Sequence, residues 1–186
     1  MTVWGRAGNL VLALRLQLGL PLALCFLLAG LGVTSVGAAR ITNEPKDFNG
    51  YTWGAPSSQY PALRRVTDPL LGRPSPLVEV YENPGEVLTL NGVTFTKVHY
   101  RFLRDRLGNI QLWYEGKENR EKLIQWIQEQ YGKVPFAERK QKQIEWHGEN
   151  VVITLEYDVT TGEGRLWFTY LVYSPFDNSA LDATGF

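Results

Sequence analysis

The chain has 186 residues, enough for one or two domains, and its 19 basic and 19 acidic side chains cancel. With 44% apolar and 20% charged residues its composition is that of a folded protein, which excludes wholesale disorder, a collagen-like rod and a disulfide-stapled miniprotein. No excess of positive charge is available to meet phosphate, so a dedicated nucleic-acid binder is excluded too.

Residues 1–39 hold Arg6 and Arg15 and no acid, and Leu18–Gly32 is strongly apolar. A basic start, an apolar run and a small-residue exit form the pattern of a secretory signal. Val36-Gly37-Ala38 and Gly37-Ala38-Ala39 both suit cleavage, giving a mature start at Ala39 or Arg40. The alternative is an uncleaved anchor, since Leu18–Ala39 is 22 residues long and about 20 apolar residues span a bilayer. Its weakly apolar last third (Thr34, Ser35, Gly37) favours cleavage. Leu24 before Cys25 and the apolar run after it argue against lipidation. The expectation is an exported protein, periplasmic or extracellular, whose contact with membrane runs only through this segment if it is retained. Without residues 1–39 the chain keeps 147 residues, 17 of them basic and 19 acidic, with no cysteine. An exported domain without disulfides must hold itself by its core. A chain of that size buries about 68–70% of its surface on folding.

Arg40–Phe48 reads as a polar lead-in, and Asn49–Pro76 is rich in Gly, Pro and Ser. Residues 40–76 are predicted to lie as an irregular segment on the main domain, with at most a helical turn near Ser57–Val66, interrupted by Pro61. The main domain, 77–174, is strand-like. Leu77–Tyr81 is a candidate strand. Asn91-Gly92 between Val87–Leu90 and Val93–Phe95 predicts a two-residue hairpin that pairs Leu90 with Val93, Leu88 with Phe95 and Thr89 with Thr94. The second strand continues through Val98, Tyr100 and Phe102, with a parity switch near Thr96-Lys97 that suggests a bulge. A turn at Arg106-Leu107-Gly108 then pairs His99 with Glu115 and Arg101 with Trp113. Glu118–Tyr131 is the one clear helix, with Leu123, Ile124, Ile127 and Tyr131 on its apolar face and Gly132 as its stop. Asn119 is a possible cap, and Arg120 falls on the wet face with Glu118, Glu121, Lys122, Gln125 and Gln128. Gln143–Trp146 is a further strand, turning at His147–Asn150. The last hairpin turns at Thr161-Gly162 and pairs Tyr157 with Leu166, Leu155 with Phe168 and Ile153 with Tyr170. Residues 175–186 form a polar tail. The sum is an α+β domain: an antiparallel sheet of about six or seven strands, built of hairpin meanders, with one main helix on one face.

The run Asp47-Phe48-Asn49-Gly50-Tyr51-Thr52-Trp53-Gly54, the helix end Tyr131-Gly132 and the hairpin Trp146-His147-Gly148 together resemble a family of small exported bacterial proteins. These open with a Phe-x-Gly-x-x-Trp-Gly element after a signal peptide. The likeness covers most of the chain after the leader. It departs after Gly54, where relatives continue with Thr-Pro and a helix and this chain has Ala55-Pro56-Ser57-Ser58-Gln59-Tyr60-Pro61. The resemblance implies a bacterial envelope setting and no activity.

The chemistry-bearing residues are sparse. Only His99 and His147 can serve as imidazole bases, and no Gly-x-Ser-x-Gly element accompanies them. Neither histidine has a second ligand at zinc spacing. The 19 acids single out no catalytic pair, and phosphate-binding glycine loops are absent. No catalytic residue, metal site or cofactor is expected. Tryptophan stands above background: five follow the leader, at 53, 113, 126, 146 and 167. Parity places Trp113 and Trp167 on the face opposite the aliphatic stripe, with Arg101, Glu156, Thr154 and Thr169 near them, and His99 joins them as a candidate site residue. Such a face suits a sugar ring or a protein partner. The alternative is that Tyr51 and Trp53 of the lead-in cover it as a second layer. Arg139–Lys142 reads as a solvated connector, or as a contact for anionic lipid or wall polymer. The resulting expectation is a non-enzymatic exported domain that binds an envelope protein or glycan. A cell-wall-binding module using Trp113 and Trp167, and a hydrolase with an unrecognised site, are the alternatives.

Overall fold

Alternating apolar residues between 97 and 170 build the centre of one broad sheet. The computed structural model describes residues 39–67 and 77–174, all within the compact unit 35–186. The leader up to 38, the stretch 68–76 and the tail 175–186 lie outside the described residues. The strands are β1 (Ala39–Arg40), β2 (Asp47–Phe48), β3 (Tyr51–Thr52), β4 (Arg64–Val66), β5 (Val78–Glu82), β6 (Thr89–Leu90), β7 (Val93–Thr94), β8 (Lys97–Leu103), β9 (Arg106–Glu115), β10 (Gln143–His147), β11 (Val151–Tyr157) and β12 (Glu163–Tyr170). One α-helix, α1 (Lys117–Tyr131), lies between β9 and β10.

Eight strands form the main sheet in the order β1-β10-β11-β12-β9-β8-β5-β4, and β2-β3 and β6-β7 are separate hairpins. The expected α+β character holds, but the sheet is larger than six or seven strands and it is mixed. β1 pairs parallel with β10, Ala39 facing Trp146 and Arg40 facing His147, while the other ladders are antiparallel. The addition comes from the lead-in, which is less polar in its packing than in its composition: Ala39, Ile41 and Phe48 are all buried. The helical turn expected near Ser57–Val66 is only a three-residue turn at Ser57–Gln59, followed by β4.

The helix lies on the inner face. Leu123, Ile124 and Ile127 share one core with Tyr100, Ile110, Leu112, Ile144, Trp146, Leu155, Leu166 and Phe168. Gly116 is the helix N-cap, displacing Asn119, whose amide instead donates to the Glu115 carbonyl at 2.8 Å. Arg120 is not on the wet face. It is buried and donates to the Arg139 and Gln141 carbonyls at 2.7 and 2.8 Å, pinning the connector between α1 and β10. The lead-in packs beside the helix: Phe48 meets Phe168 at 4.7 Å between ring centroids, and Tyr51 meets Tyr100 at 4.1 Å. Among the described residues, no helix is long and apolar enough to cross a membrane.

Turn chemistry sets the registers. The Asn91-Gly92 hairpin forms as expected, with Leu90 opposite Val93 and Thr89 opposite Thr94, and the Phe95 amide donates to the Leu88 carbonyl at 3.0 Å. It stands apart from the main sheet, so the parity switch at Thr96-Lys97 is a passage between two sheets. The bulge lies further on, at Arg101/Phe102. The β8–β9 turn is Arg104-Asp105, both at positive φ (50° and 58°), the two-residue geometry that matches strand twist. Gly108 is therefore a strand residue. A Cβ there would lie 1.5 Å from the Tyr173 carbonyl oxygen. The register moves by four, and His99 faces Gln111 while Arg101 faces Asn109. The β11–β12 register moves by two: Tyr157 faces Gly164, Leu155 faces Leu166 and Ile153 faces Phe168.

Candidate ligand-binding face

Odd-numbered residues of β8 and β12, those of β9 from Asn109 onward, and even-numbered residues of β11 point away from the helix, while Leu107, beyond the bulge, joins the inner core. Register places Lys97 opposite Trp113, His99 opposite Gln111 and Arg101 opposite Asn109. It continues with Gln111 opposite Trp167 and Trp113 opposite Arg165, then Trp167 opposite Thr154 and Arg165 opposite Glu156. All four site residues read from the sequence (His99, Arg101, Trp113 and Trp167) thus share this outer face.

Their neighbours differ from those expected. Glu115 is not the partner of His99; Glu82 on β5 is, with its carboxylate 2.6 Å from Nε2. Lys97 stands over the Trp113 ring, at 5.6 Å, and Arg165 stands over Trp167 at 5.3 Å. The His99 ring meets Trp113 edge-on at 4.6 Å. Arg101 turns instead to the two amide side chains beside it, donating to Gln111 Oε1 at 2.5 Å and Asn109 Oδ1 at 3.3 Å. Asn109 passes the network on, donating to Thr169 Oγ1 at 2.9 Å. Tyr51 and Trp53 pack elsewhere: Tyr51 is on the inner face, and Trp53 stacks near Tyr170 at 6.2 Å and donates to the Pro45 carbonyl.

The face is graded in burial. His99, Arg101, Asn109 and Gln111 are at most 1% exposed, while Trp113 and Trp167 are half-buried. Burial of such polar groups is costly unless they are bonded. Burial also holds the His99 pKa below the usual imidazole value, with Glu82 opposing that shift. The neutral ring donates from Nε2 to Glu82, which leaves Nδ1 as an acceptor. Neither Nδ1 nor the Gln111 Nε2 amide has a hydrogen-bond partner among the described residues.

Beside Trp113 the face opens into a cleft of about 360 Å³, lined by Trp113, Glu156, Arg165, Lys142, Asp158 and the β11–β12 loop. Arg165 Nη2 donates to Glu156 at 2.6 Å, and Lys142 Nζ lies 3.3 Å from Asp158. The Thr160 hydroxyl and amide both donate to Asp158 and, with Lys142, hold its carboxyl well below the usual range. The cleft therefore offers an aromatic surface, three acids (Glu156 and Asp158, already bonded by Arg165 and Lys142, and Glu163 at the start of β12) and two cations. Such a lining suits neutral polar rings, which stack on the indole and exchange hydrogen bonds with both kinds of group.

Sequence reasoning missed Glu82, Asn109 and Gln111 as members of this face; it placed Glu156 and Arg165 there but opposite Trp167 and Asp158, where the register sets them opposite each other. The signal for two of them was present: Asn109, Gln111 and Trp113 alternate with Ile110, Leu112 and Tyr114. Glu82 carried none, because β5 reaches β8 only through the sheet order. Among the described residues, no group of three His, Cys, Asp or Glu is placed to hold a metal ion. No protein-family model, curated protein or solved structure matches the chain.

Proposed function

We propose that this chain is an exported binding domain of the bacterial envelope that takes a glycan on its outer sheet face. The reading rests on the cleft beside Trp113, where an indole surface lies between acid–base pairs within a volume of about 360 Å³. Sugars present apolar C–H faces and equatorial hydroxyls, so an aromatic plane flanked by charged, hydrogen-bonding side chains complements them. Glu156 and Asp158 accept from sugar hydroxyls, and Arg165 and Lys142 donate to them. The buried His99–Arg101–Gln111 layer beneath keeps the indoles in position through bonded side chains and packing. The envelope setting rests on the leader and on the family resemblance.

The test is capture of ligand by the purified protein. Protein lacking residues 1–38, which keeps Ala39 and so the whole of β1, is immobilised and exposed to detergent-solubilised envelope, and retained material is identified by mass spectrometry. Soluble peptidoglycan fragments and chitotriose are titrated separately by calorimetry. Retention of a glycan, weakened about tenfold or more by Trp113→Ala, supports the reading; that loss corresponds to about 1.4 kcal/mol. Retention of a stoichiometric protein that survives Trp113→Ala and Trp167→Ala replaces the glycan with a protein partner. No retained glycan and no heat of binding overturn the proposal.

A further inference from the structure

Two exposed apolar side chains lie away from the Trp113 indole. Phe136, in the connector between α1 and β10, is 70% exposed, and Val159, in the β11–β12 loop, is 85% exposed. Although far apart in sequence, they line one groove of about 1030 Å³ with Lys117, Arg120, Arg139, Lys140 and Lys142. Its acids, Glu121 and Asp158, are already answered by Arg120 at 3.2 Å and Lys142 at 3.3 Å. Lys117, Arg139 and Lys140 have no acidic partner among the described residues. Arg139 and Lys140 instead flank the Phe136 ring, at 6.0 and 5.2 Å from its centroid.

The arrangement discriminates between occupants. A soluble polyanion would meet the bases and leave Phe136 and Val159 in water. An apolar peptide would cover those two side chains and leave three cations uncompensated. A bilayer surface with anionic headgroups meets both needs, taking apolar tips at the acyl boundary and cations at the phosphates. The Arg120 bonds to the Arg139 and Gln141 carbonyls make the connector a fixed feature of the surface. We infer that this end of the molecule docks on an anionic lipid surface, with Phe136 and Val159 entering the headgroup–acyl boundary and Lys117, Arg139 and Lys140 on the lipid phosphates. This groove adjoins the cleft beside Trp113 and shares Lys142 and Asp158 with it, but the inference does not depend on the glycan reading.

The test uses the full chain, so its readout must be local to the groove. A Cys25→Ser, Val159→Cys chain carries an environment-sensitive dye at position 159. It is mixed with vesicles of phosphatidylglycerol and phosphatidylcholine, with pure phosphatidylcholine vesicles, and with soluble glycerol phosphate. A blue shift is expected with the anionic vesicles alone, and its reversal at about 0.5 M salt, where screening is nearly complete. Lys140→Glu is expected to lower the ratio of shifted to unshifted dye about fivefold or more, and Phe136→Ser about tenfold. The far-ultraviolet circular dichroism of each variant checks that it is folded. No shift with any vesicle overturns the inference. So does an equal shift on both vesicle types, a shift caused by glycerol phosphate alone, or indifference to both substitutions.

Discussion

Tyr114 lays its ring over Gly164, the residue that faces it across the β9–β12 ladder. A Cβ at Gly164 would come within 2.1 Å of the Tyr114 Cζ atom. The ring is held there by its hydroxyl, which donates to the Glu156 carbonyl at 2.9 Å. Burial pushes that hydroxyl's pKa well up, so it stays protonated and remains a donor. Gly164→Ala is expected to destabilise the fold by about 1–3 kcal/mol, the usual cost of forcing extra volume into a packed site. Urea denaturation at constant slope measures it. A Tyr114→Ala chain, which lacks the ring, in which Gly164→Ala costs as much would mean that the backbone, not the ring, is the obstacle.

Glu44 closes the turn between β10 and β11 from 106 residues away. Its Oε1 accepts the amides of Asn150, at 2.5 Å, and Val151. Two half-buried amides on one carboxylate make a charge-assisted cap. Glu44→Ala is expected to cost about 1–3 kcal/mol, and Glu44→Gln less, because one acceptor oxygen survives. Hydrogen exchange at the Asn150 and Val151 amides gives the residue-level answer. Unchanged protection in Glu44→Ala would remove the cap from the account.

Arg120 ties the helix to the far end of its following connector, while Gln128 accepts the Val134 amide at 3.3 Å close to the helix end. Arg120→Met keeps the length of the side chain and removes its donors. The expected result is about 1–3 kcal/mol of lost stability and faster proteolytic cleavage within 133–142. Equal cleavage rates in the two proteins would show that the connector is held by other contacts.

His99 makes stability depend on pH in a definite direction. Its folded-state pKa is depressed by burial, so on acidification the unfolded chain binds the proton first. Stability is therefore fully present above the unfolded value of about 6.5 and declines as pH falls through that value towards the lower folded pKa. Below the folded pKa the loss levels off. His99→Gln, which cannot titrate, is expected to flatten the decline, and the difference between the two denaturation profiles isolates it. Parallel profiles from pH 8 to pH 5, values on the order of those where imidazoles titrate, would contradict the assignment.

Side-chain alternation carried the faces of the sheet correctly into three dimensions and left the registers open. Parity placed His99, Arg101, Trp113 and Trp167 together because a register shift by an even number keeps every side chain on its face. It did not give their neighbours. The β8–β9 ladder shifted by four because two non-glycine residues, Arg104 and Asp105, adopt the left-handed turn. Gly108, the residue composition marks as a turn former, is needed in the strand for contact with Tyr173. The β11–β12 ladder shifted by two because Asp158, bonded to Thr160, and the positive-φ Gly162 hold a longer loop. The eighth strand escaped notice for a different reason. Two residues, Ala39 and Arg40, have no period, and only β10 beside them makes them a strand.

Gly108 and Tyr173 have a consequence for how such a chain can diverge. The carbonyl of one occupies the space that any side chain on the other would claim. No rotamer relieves that conflict, because both sides of it are main chain. A replacement at position 108 can persist only in descendants whose backbone after Tyr170 takes another course. Among aligned relatives, the two sites are then expected to change together: glycine retained wherever the passage at 171–174 is retained, and free to vary where that passage is rerouted.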